Sequence, residues 1–541
     1  MNKIVKISAI SALAALSLVG CIEEDVPTKV VTADQAAASD AALEAMVGAI
    51  PVSMIAIDGA RQDLHCDFGY PSLLVVYDAL CGNVLSVGGD ANSGYDWFSS
   101  YASGAGLAPN YTRPYAIWTN YFNFLKSAND VISTINAGGE LSASSMPYMA
   151  SAKAFRALYY LDMARLYEPL ANDYSDISNV EGLTLPYISE TTSEDEARNN
   201  PRLSREEMFA KIFEDLDAAE QLYLTEGVVI PTDKVNPSLA VVYGLKARAY
   251  LWLGATDASN YAKAAEYARR AIDESGCTIM GEADWTNPTA GFNTPNNSWM
   301  WYLPQSAESV SNLLNYVAWL SPEATYGYGA LTQMGVMNST YDRLSDSDFR
   351  KKLMIGADCN YSDYKDVTLI PESNWEANKS IYPYANIKMR PGGGKINDDK
   401  TGNVTSVVTM RVEEMYLIEA EAVAHTDAAA GAALLKTFMA NRDDAYIFAG
   451  STSDEVVEEI IFQKGIEFWG EGVVFFDIKR LGLGMHTGYE GTNVATASRF
   501  DIDLRAPWWN MPIPESEETQ NPALQGLNNP NPTEKVDPWL E

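Results

Sequence analysis

A helical period running through the first half of the chain does most to limit its fold. Between residues 148 and 167, Ala152, Phe155, Tyr159, Met163 and Leu166 recur at spacings of three and four, which puts them on one helix face. Pro169 ends that pattern. A second helix is set by Ser204, with Glu207 three residues on as a capping box, and carries Met208, Ile212, Leu216 and Ala219 inward. Asn236-Pro237 reads as the N-cap and first residue of a third, with Tyr243, Ala247, Tyr250 and Gly254 as its small-and-aromatic stripe. A fourth covers about 260–273, with Ala264, Ala268 and Ala271. From 275 to 400 Gly, Pro, Asn and Trp are dense and the period is patchy, which predicts loops and short strands. Helices resume at 409–424 and at about 453–470, the latter begun by a Thr452/Glu455 capping box. The tail after 505 is rich in Pro and Asn and is expected to wrap the surface. Helical patterns dominate this reading, with an irregular insertion between them.

Small residues let paired helices approach closely, and the third and fourth helices together resemble a degenerate tetratricopeptide unit. The aromatic content is high, with 12 Trp, 30 Tyr and 16 Phe. Buried phenols need hydrogen-bond partners, so part of this set is expected at a surface that uses apolar faces and polar tips together. The formal net charge of −34 excludes a nucleic-acid partner, which requires clustered Lys and Arg, and fits a neutral ligand. The three His, at 65, 425 and 486, lie far apart in sequence and give little material for a His-based metal or nucleophile site.

Residues 1–20 read as a signal peptide: Lys3 and Lys6 precede an apolar run, Ile7 to Leu18, too short to span a bilayer. Leu18-Val19-Gly20-Cys21 resembles a bacterial lipobox, in which Cys21 would be acylated and anchor the chain by lipid alone. The acidic Ile22-Glu23-Glu24-Asp25 resembles an export tag to the outer face of an outer membrane. Of the other cysteines, 66, 81, 277 and 359, none forms a CxxC; Cys66 and Cys81 are read either as a disulfide or as buried free thiols.

Several segments together resemble the RagB/SusD family, in the family's order: KAFRALYYLDMARLYEPLA at 153–171, GLTLPYISETT at 182–192, LSREEMFAKIFEDLDAAEQL at 203–222, MRVEEMYLIEAEA at 410–422, FWGEGVVFFDIKRLG at 468–482 and MPIPESEETQNPAL at 511–524. Two positions depart from its pattern: Lys464-Gly465 stands where an Arg is frequent, and Val473-Val474 follow the Glu-Gly pair. The resemblance implies a single, all-α SusD-like domain over 21–541. Its tetratricopeptide-like scaffold, with four helix pairs, would occupy about 115–275 and 405–485, and a ligand-binding insertion about 275–400. It further implies glycan capture at the cell surface for a SusC-like TonB-dependent transporter, without catalysis and without a cofactor.

Sugar rings pack C–H patches on aromatic faces while their hydroxyls bind amides and carboxylates. The loop DANSGYDWFSSY at 90–101 has that chemistry: Tyr95 and Trp97 could stack, and Asp90, Asn92 and Asp96 could hydrogen-bond. Tyr326 and Tyr328, two apart, would share a side of an extended segment. Trp319 ends an apolar helical run and reads first as core, with its position close to that loop keeping it a ligand candidate, and Trp285, with Asn287, Phe292 and Asn293, forms a further cluster. Trp299 and Trp301 read as a buried strand and Trp508-Trp509 as tail packing.

Enzyme signatures fail. PGGGK at 391–395 has Met389 in place of the opening Gly of a phosphate loop and Ile396 in place of its Ser or Thr. There is no GxSxG or HExxH. Glu413-Glu414 and Glu419/Glu421 have the look of a glycosidase pair but lie on an amphipathic helix, where a solvated or salt-bridged face is expected. Asp398-Asp399 and Asp90 sit in Gly-rich loops that would suit a structural calcium, without EF-hand spacing. The alternatives are a peptide or other nutrient binder on the same scaffold, a surface hydrolase, and a structural tetratricopeptide adaptor.

Overall fold

The computed structural model describes residues 39–540 apart from 58, 61–63, 89–96, 312, 379–380 and 534–535. Its principal helices are α1 (Asp40–Met54), α2 (Tyr70–Leu80), α3 (Thr112–Ala137), α4 (Met146–Tyr167), α5 (Arg205–Tyr223), α6 (Leu239–Gly254), α7 (Asn260–Ser275), α8 (Tyr316–Leu320), α9 (Val412–Ala424), α10 (Ala428–Met439), α11 (Ser453–Glu467), α12 (Val474–Leu481) and α13 (Glu515–Gln520). The strands are short: β1 (Leu85–Ser86), β2 (Trp299–Pro304), β3 (Met334–Gly335), β4 (Ser406–Arg411), β5 (Met485–His486) and β6 (Asp501–Ile502). They form the antiparallel pairs β1–β3, β2–β4 and β5–β6. The all-α reading holds.

Local chemistry places most boundaries. Both expected capping boxes form: Ser204 with Glu207 opens α5, and Thr452 with Glu455 opens α11. Ala247, Ala264, Ala268 and Ala271 are fully buried where α6 and α7 pack together. Consecutive helices α3 and α4, and α9 and α10, pack in the same way. Two boundaries differ from the sequence reading. The third helix starts at Leu239 behind Ser238, because Asp233 accepts from the backbone N–H of Val235 and Asn236 (2.9 Å each) and folds Asn236-Pro237 into a lead-in turn. The segment from 409 begins as strand: residues 406–411 pair with Trp299–Pro304, and the helix starts at Val412. Trp299 and Trp301 lie buried on that ribbon as expected.

The sequence reading missed α1 and α2. All 11 residues of α2 are buried, so it shows no amphipathic period to find. Its C-terminal end is locked by distant chain. Trp508 and Trp509 both donate their indole N–H to the Leu80 carbonyl (3.1 and 2.8 Å), and Asp78 accepts from the N–H of Gly470 and Gly472 (2.7 and 3.2 Å). The same helix decides between the two cysteine readings. Cys66 precedes it and Cys81 caps it, so about 16 Å of helix lies between them, and both are free thiols. Burial pushes Cys66 up to about 11 and Cys81 higher still.

The family-like segments meet in a buried ionic network. Arg411 donates to Glu471 (2.9 Å) and Glu467 (3.1 Å), Arg442 donates twice to Glu467 (2.8 Å each), and Arg350 reaches Glu467 at 3.2 Å. Glu413 is wedged against Arg411 (3.1 Å), and burial keeps its carboxyl above the usual range despite Arg411 and Arg442. A second cluster joins Lys464 to Glu421 (2.8 Å) and Asp477 (2.9 Å), with Arg480 on both acids. Burial alone would raise Glu421, but Arg480 and Lys464 hold it well below the carboxylate range. Glu413, Glu414 and Glu421 are therefore spent on packing helices, buried and ion-paired rather than solvated.

Candidate functional site

The site is assembled from four chain segments whose local folding aims their rings at one another. The 64–67 segment carries His65 and is tied to α3 by Asp67, which accepts from Asn120 Nδ2 at 2.7 Å. Trp97 lies at the end of the 89–96 segment. Arg113, in the first turn of α3, pins its backbone by donating to the Trp97 carbonyl (3.0 Å), the Ser100 hydroxyl (2.6 Å) and the Ala105 carbonyl (2.6 Å). The short helix α8 supplies Trp319, and a 3₁₀ turn at Tyr328–Ala330 folds back onto it. That fold-back requires glycine: a Cβ on Gly329 would sit 2.5 Å from the Ser321 carbonyl and 2.8 Å from that of Trp319.

The rings form one cluster. Trp97 lies 4.7 Å from His65, 6.2 Å from Trp319 and 6.3 Å from Tyr328, centroid to centroid, and Trp319 lies 4.5 Å from Tyr328. Polar edges are satisfied inside the cluster. Trp319 donates its indole N–H to the His65 carbonyl (3.1 Å), and the Tyr328 hydroxyl and His65 Nδ1 hydrogen-bond each other. Phe98 closes the floor edge-on to Trp319 at 4.9 Å. Trp319 is fully buried and Tyr328 is 6% exposed, whereas Trp97 and His65 are only partly buried. The outcome is a cluster of mutually tilted rings in which Trp97 and His65 are the more exposed members.

The structure thus brings three of the sequence-selected residues together: Trp97, Trp319 and Tyr328. Trp319 takes the core alternative rather than the ligand one: it is fully buried, with the Trp97 ring 6.2 Å away. The structure corrects the Tyr326/Tyr328 pair. The segment is a turn leading into a 3₁₀ helix, so the two rings part, and the half-buried Tyr326 places its hydroxyl over Gly402, near Asp398 and Asp399. Trp285 leaves the candidate set. It is 2% exposed and packs among Lys388, Arg411 and Arg442, with their cationic groups 5.4, 5.9 and 5.4 Å from its ring. Asn92, Tyr95, Asp96, Asp90 and Cys21 lie outside the described residues. Asp398 caps a short helix through Lys400 N (3.2 Å) and Thr401 Oγ1 (2.8 Å).

Two residues of this region were not selected from sequence. His65 was set aside because the three histidines are distant in sequence; nothing in its neighbourhood signals that Trp97 packs on it. Tyr382 is half-buried with its ring against Gly88, where a Cβ would meet it at 3.2 Å. Gly88 has φ +98°, a left-handed conformation that favours glycine.

Comparison with known proteins agrees with this architecture. The SusD family model matches residues 356–531. A SusD-like protein of Bacteroides ovatus is 23% identical over 466 residues, covering 75% of this chain and 79% of that one. SusD-like protein P2 of Formosa agariphila is 23% identical over 551 aligned residues, covering 95% and 97%. Among solved structures, a SusD-like carbohydrate binding protein from Bacteroides vulgatus superposes with a TM-score of 0.68 at 20% identity, over 90% of this chain and 97% of that one. Surface glycan-binding protein A from Bacteroides fluxus superposes with a TM-score of 0.63 at 19% identity, over 91% and 99%. The SusD family is matched over residues 356–531, and SusD-like proteins are similar to this chain along most of its length.

Proposed function

We propose that this protein is a lipid-anchored surface lipoprotein that binds a glycan on the Trp97 face and passes it to a SusC-like TonB-dependent outer-membrane transporter. The observation that carries the binding reading is the Trp97 ring itself: partly open to solvent, yet braced by His65, Trp319 and Tyr328. A preorganised aromatic face suits the C–H face of a pyranose, because no side-chain freedom is lost on binding. The relatives support the ligand class, since two of the matching structures are surface glycan-binding proteins. The anchor rests on the lipobox at Cys21; among the described residues no helix is long and apolar enough to cross a membrane. The partner rests on the family resemblance. Binding without turnover is supported by the burial of Glu413 and Glu421, carboxylates that resemble a glycosidase pair in sequence but are held in core ion pairs.

Affinity at one such face is expected in the µM to mM range, about −8 to −4 kcal/mol. The test is affinity electrophoresis of residues 22–541 through gels containing a panel of polysaccharides, with a peptide digest as competitor and product analysis after long incubation. Retardation by one glycan class without product supports the reading. Release of product, or competition by peptides alone, overturns it.

A further inference from the structure

We propose a second glycan-binding subsite at the groove between the start of α3 and α13, which takes a distant part of the same polysaccharide chain that crosses Trp97; this inference rests on the glycan reading above. The groove has a volume of about 410 Å³, within the range of small-ligand sites. Tyr111 and Tyr115, one helical turn apart, line it and are 52% and 37% exposed. They are among the few large apolar side chains that the described surface leaves open. Around them stand Asn110, Glu515 and Thr519, an amide, a carboxylate and a hydroxyl. Two exposed phenol faces edged by neutral and acidic hydrogen-bonding groups suit a polyhydroxylated, uncharged ligand and disfavour an anionic one.

The groove is built, and it is joined to the first site. Glu515 donates its backbone N–H to the Pro109 carbonyl (2.9 Å), which fixes the two walls. Arg113 lies between Tyr111 and Tyr115 in sequence and holds the Trp97 carbonyl at 3.0 Å, so one turn of helix braces both faces. The chain passes from Trp97 to Tyr111 through a 3₁₀ turn at Ser99–Ser103 and two further hydrogen-bonded turns, Leu107 N–H to Gly104 and Tyr111 N–H to Ala108. A second hollow, at Tyr187 and Thr191, lacks this chemistry: the Tyr187 ring is half-buried, faces Tyr160 at 4.7 Å and has Lys211 5.8 Å from it.

Two linked faces bind a polymer more tightly than either alone, while a short oligosaccharide can occupy only one. The experiment compares the wild type with Tyr111→Ala/Tyr115→Ala, using the polysaccharide that retards the wild type and the di- and trisaccharides cut from it. The expected result is roughly tenfold weaker binding of the polymer, with affinity for the short oligosaccharides and the melting temperature unchanged. Thr519→Arg, which fills the groove from the α13 wall and leaves both tyrosines in the sequence, should have the same effect. Polymer affinity equal to wild type in both variants overturns the subsite while leaving the Trp97 reading intact. Failure of any glycan to retard the wild type overturns both.

Discussion

Replacing Trp97 with alanine separates binding from folding, and the structure sets the size of each effect. A pyranose lying on the open part of the indole would remove about 100 Å² of apolar surface from water, worth roughly 2.5 kcal/mol at ~25 cal/mol per Å². Its loss should weaken binding about 60-fold, moving a site of tens of µM into the mM range. Folding should suffer less. Trp97 is only partly buried, and Trp319 and Tyr328 keep their contact at 4.5 Å and their bonds to His65 without it. The truncation should therefore cost about 1–2 kcal/mol, below the 3–5 typical of a buried Trp, and the melt should fall by a few degrees at most. Calorimetric titration with the retarding oligosaccharide reads the first quantity and scanning calorimetry the second, with Trp97→Phe expected between the two. A dissociation constant within threefold of wild type would show that the Trp97 ring is not the platform.

Gly329→Ala should disturb the same site from beneath: its new methyl must displace the Ser321 or Trp319 carbonyl, at a cost of about 1–3 kcal/mol, and a variant with wild-type melting and affinity would refute the close packing. Glu467→Gln leaves Arg411, Arg442 and Arg350 under-paired in the core and should lower stability by about 3–5 kcal/mol, read as a lost or strongly lowered thermal transition; an unchanged one refutes it. Burial pushes the Asp78 carboxyl up to about 7 from an ordinary 3.8, against N–H bonds from Gly472 and Gly470. The folded state then holds a proton that the unfolded chain releases, so this contribution to stability is full below about pH 4 and is lost as pH rises through 7; relative to Asp78→Asn, wild type should lose roughly 4 kcal/mol over that window, and a pH-independent difference would refute it. Thiol titration of residues 22–541 should find four free thiols in denaturant without reductant, with Cys66 and Cys81 silent in the native state; fewer than four would mean a disulfide.

The helical scaffold was legible because its elements advertise themselves locally: Ser204/Glu207 and Thr452/Glu455 cap where they stand, and the Ala247, Ala264 and Ala268 stripes mark faces that touch. α2 was not legible, since a helix buried on every side carries no period. The site was legible in part for a related reason. Trp97, Trp319 and Tyr328 could be picked as aromatic residues in or near loops, but sequence does not say which ring lies over which. Trp319 and Trp285 look alike as tryptophans, and only the fold shows one beneath an open ring and the other caged by three cations. His65 carried no local signal, because its partner is a fold-back more than two hundred residues away, at Tyr328.

The clamp on α2 has a consequence for how the molecule is made. Leu80 waits for Trp509, 429 positions later, and Asp78 for Gly470, 392 positions later. A chain delivered from its N-terminus can lay α3 and α4 against this helix early, where Tyr77 meets Tyr121 and Tyr70 meets Phe124 and Asp162, but the C-terminal end of the helix stays open until nearly all the rest has emerged. The end of α2 therefore settles last along with the tail, and a product cut short before the tryptophan pair leaves the Leu80 carbonyl without its two indole donors.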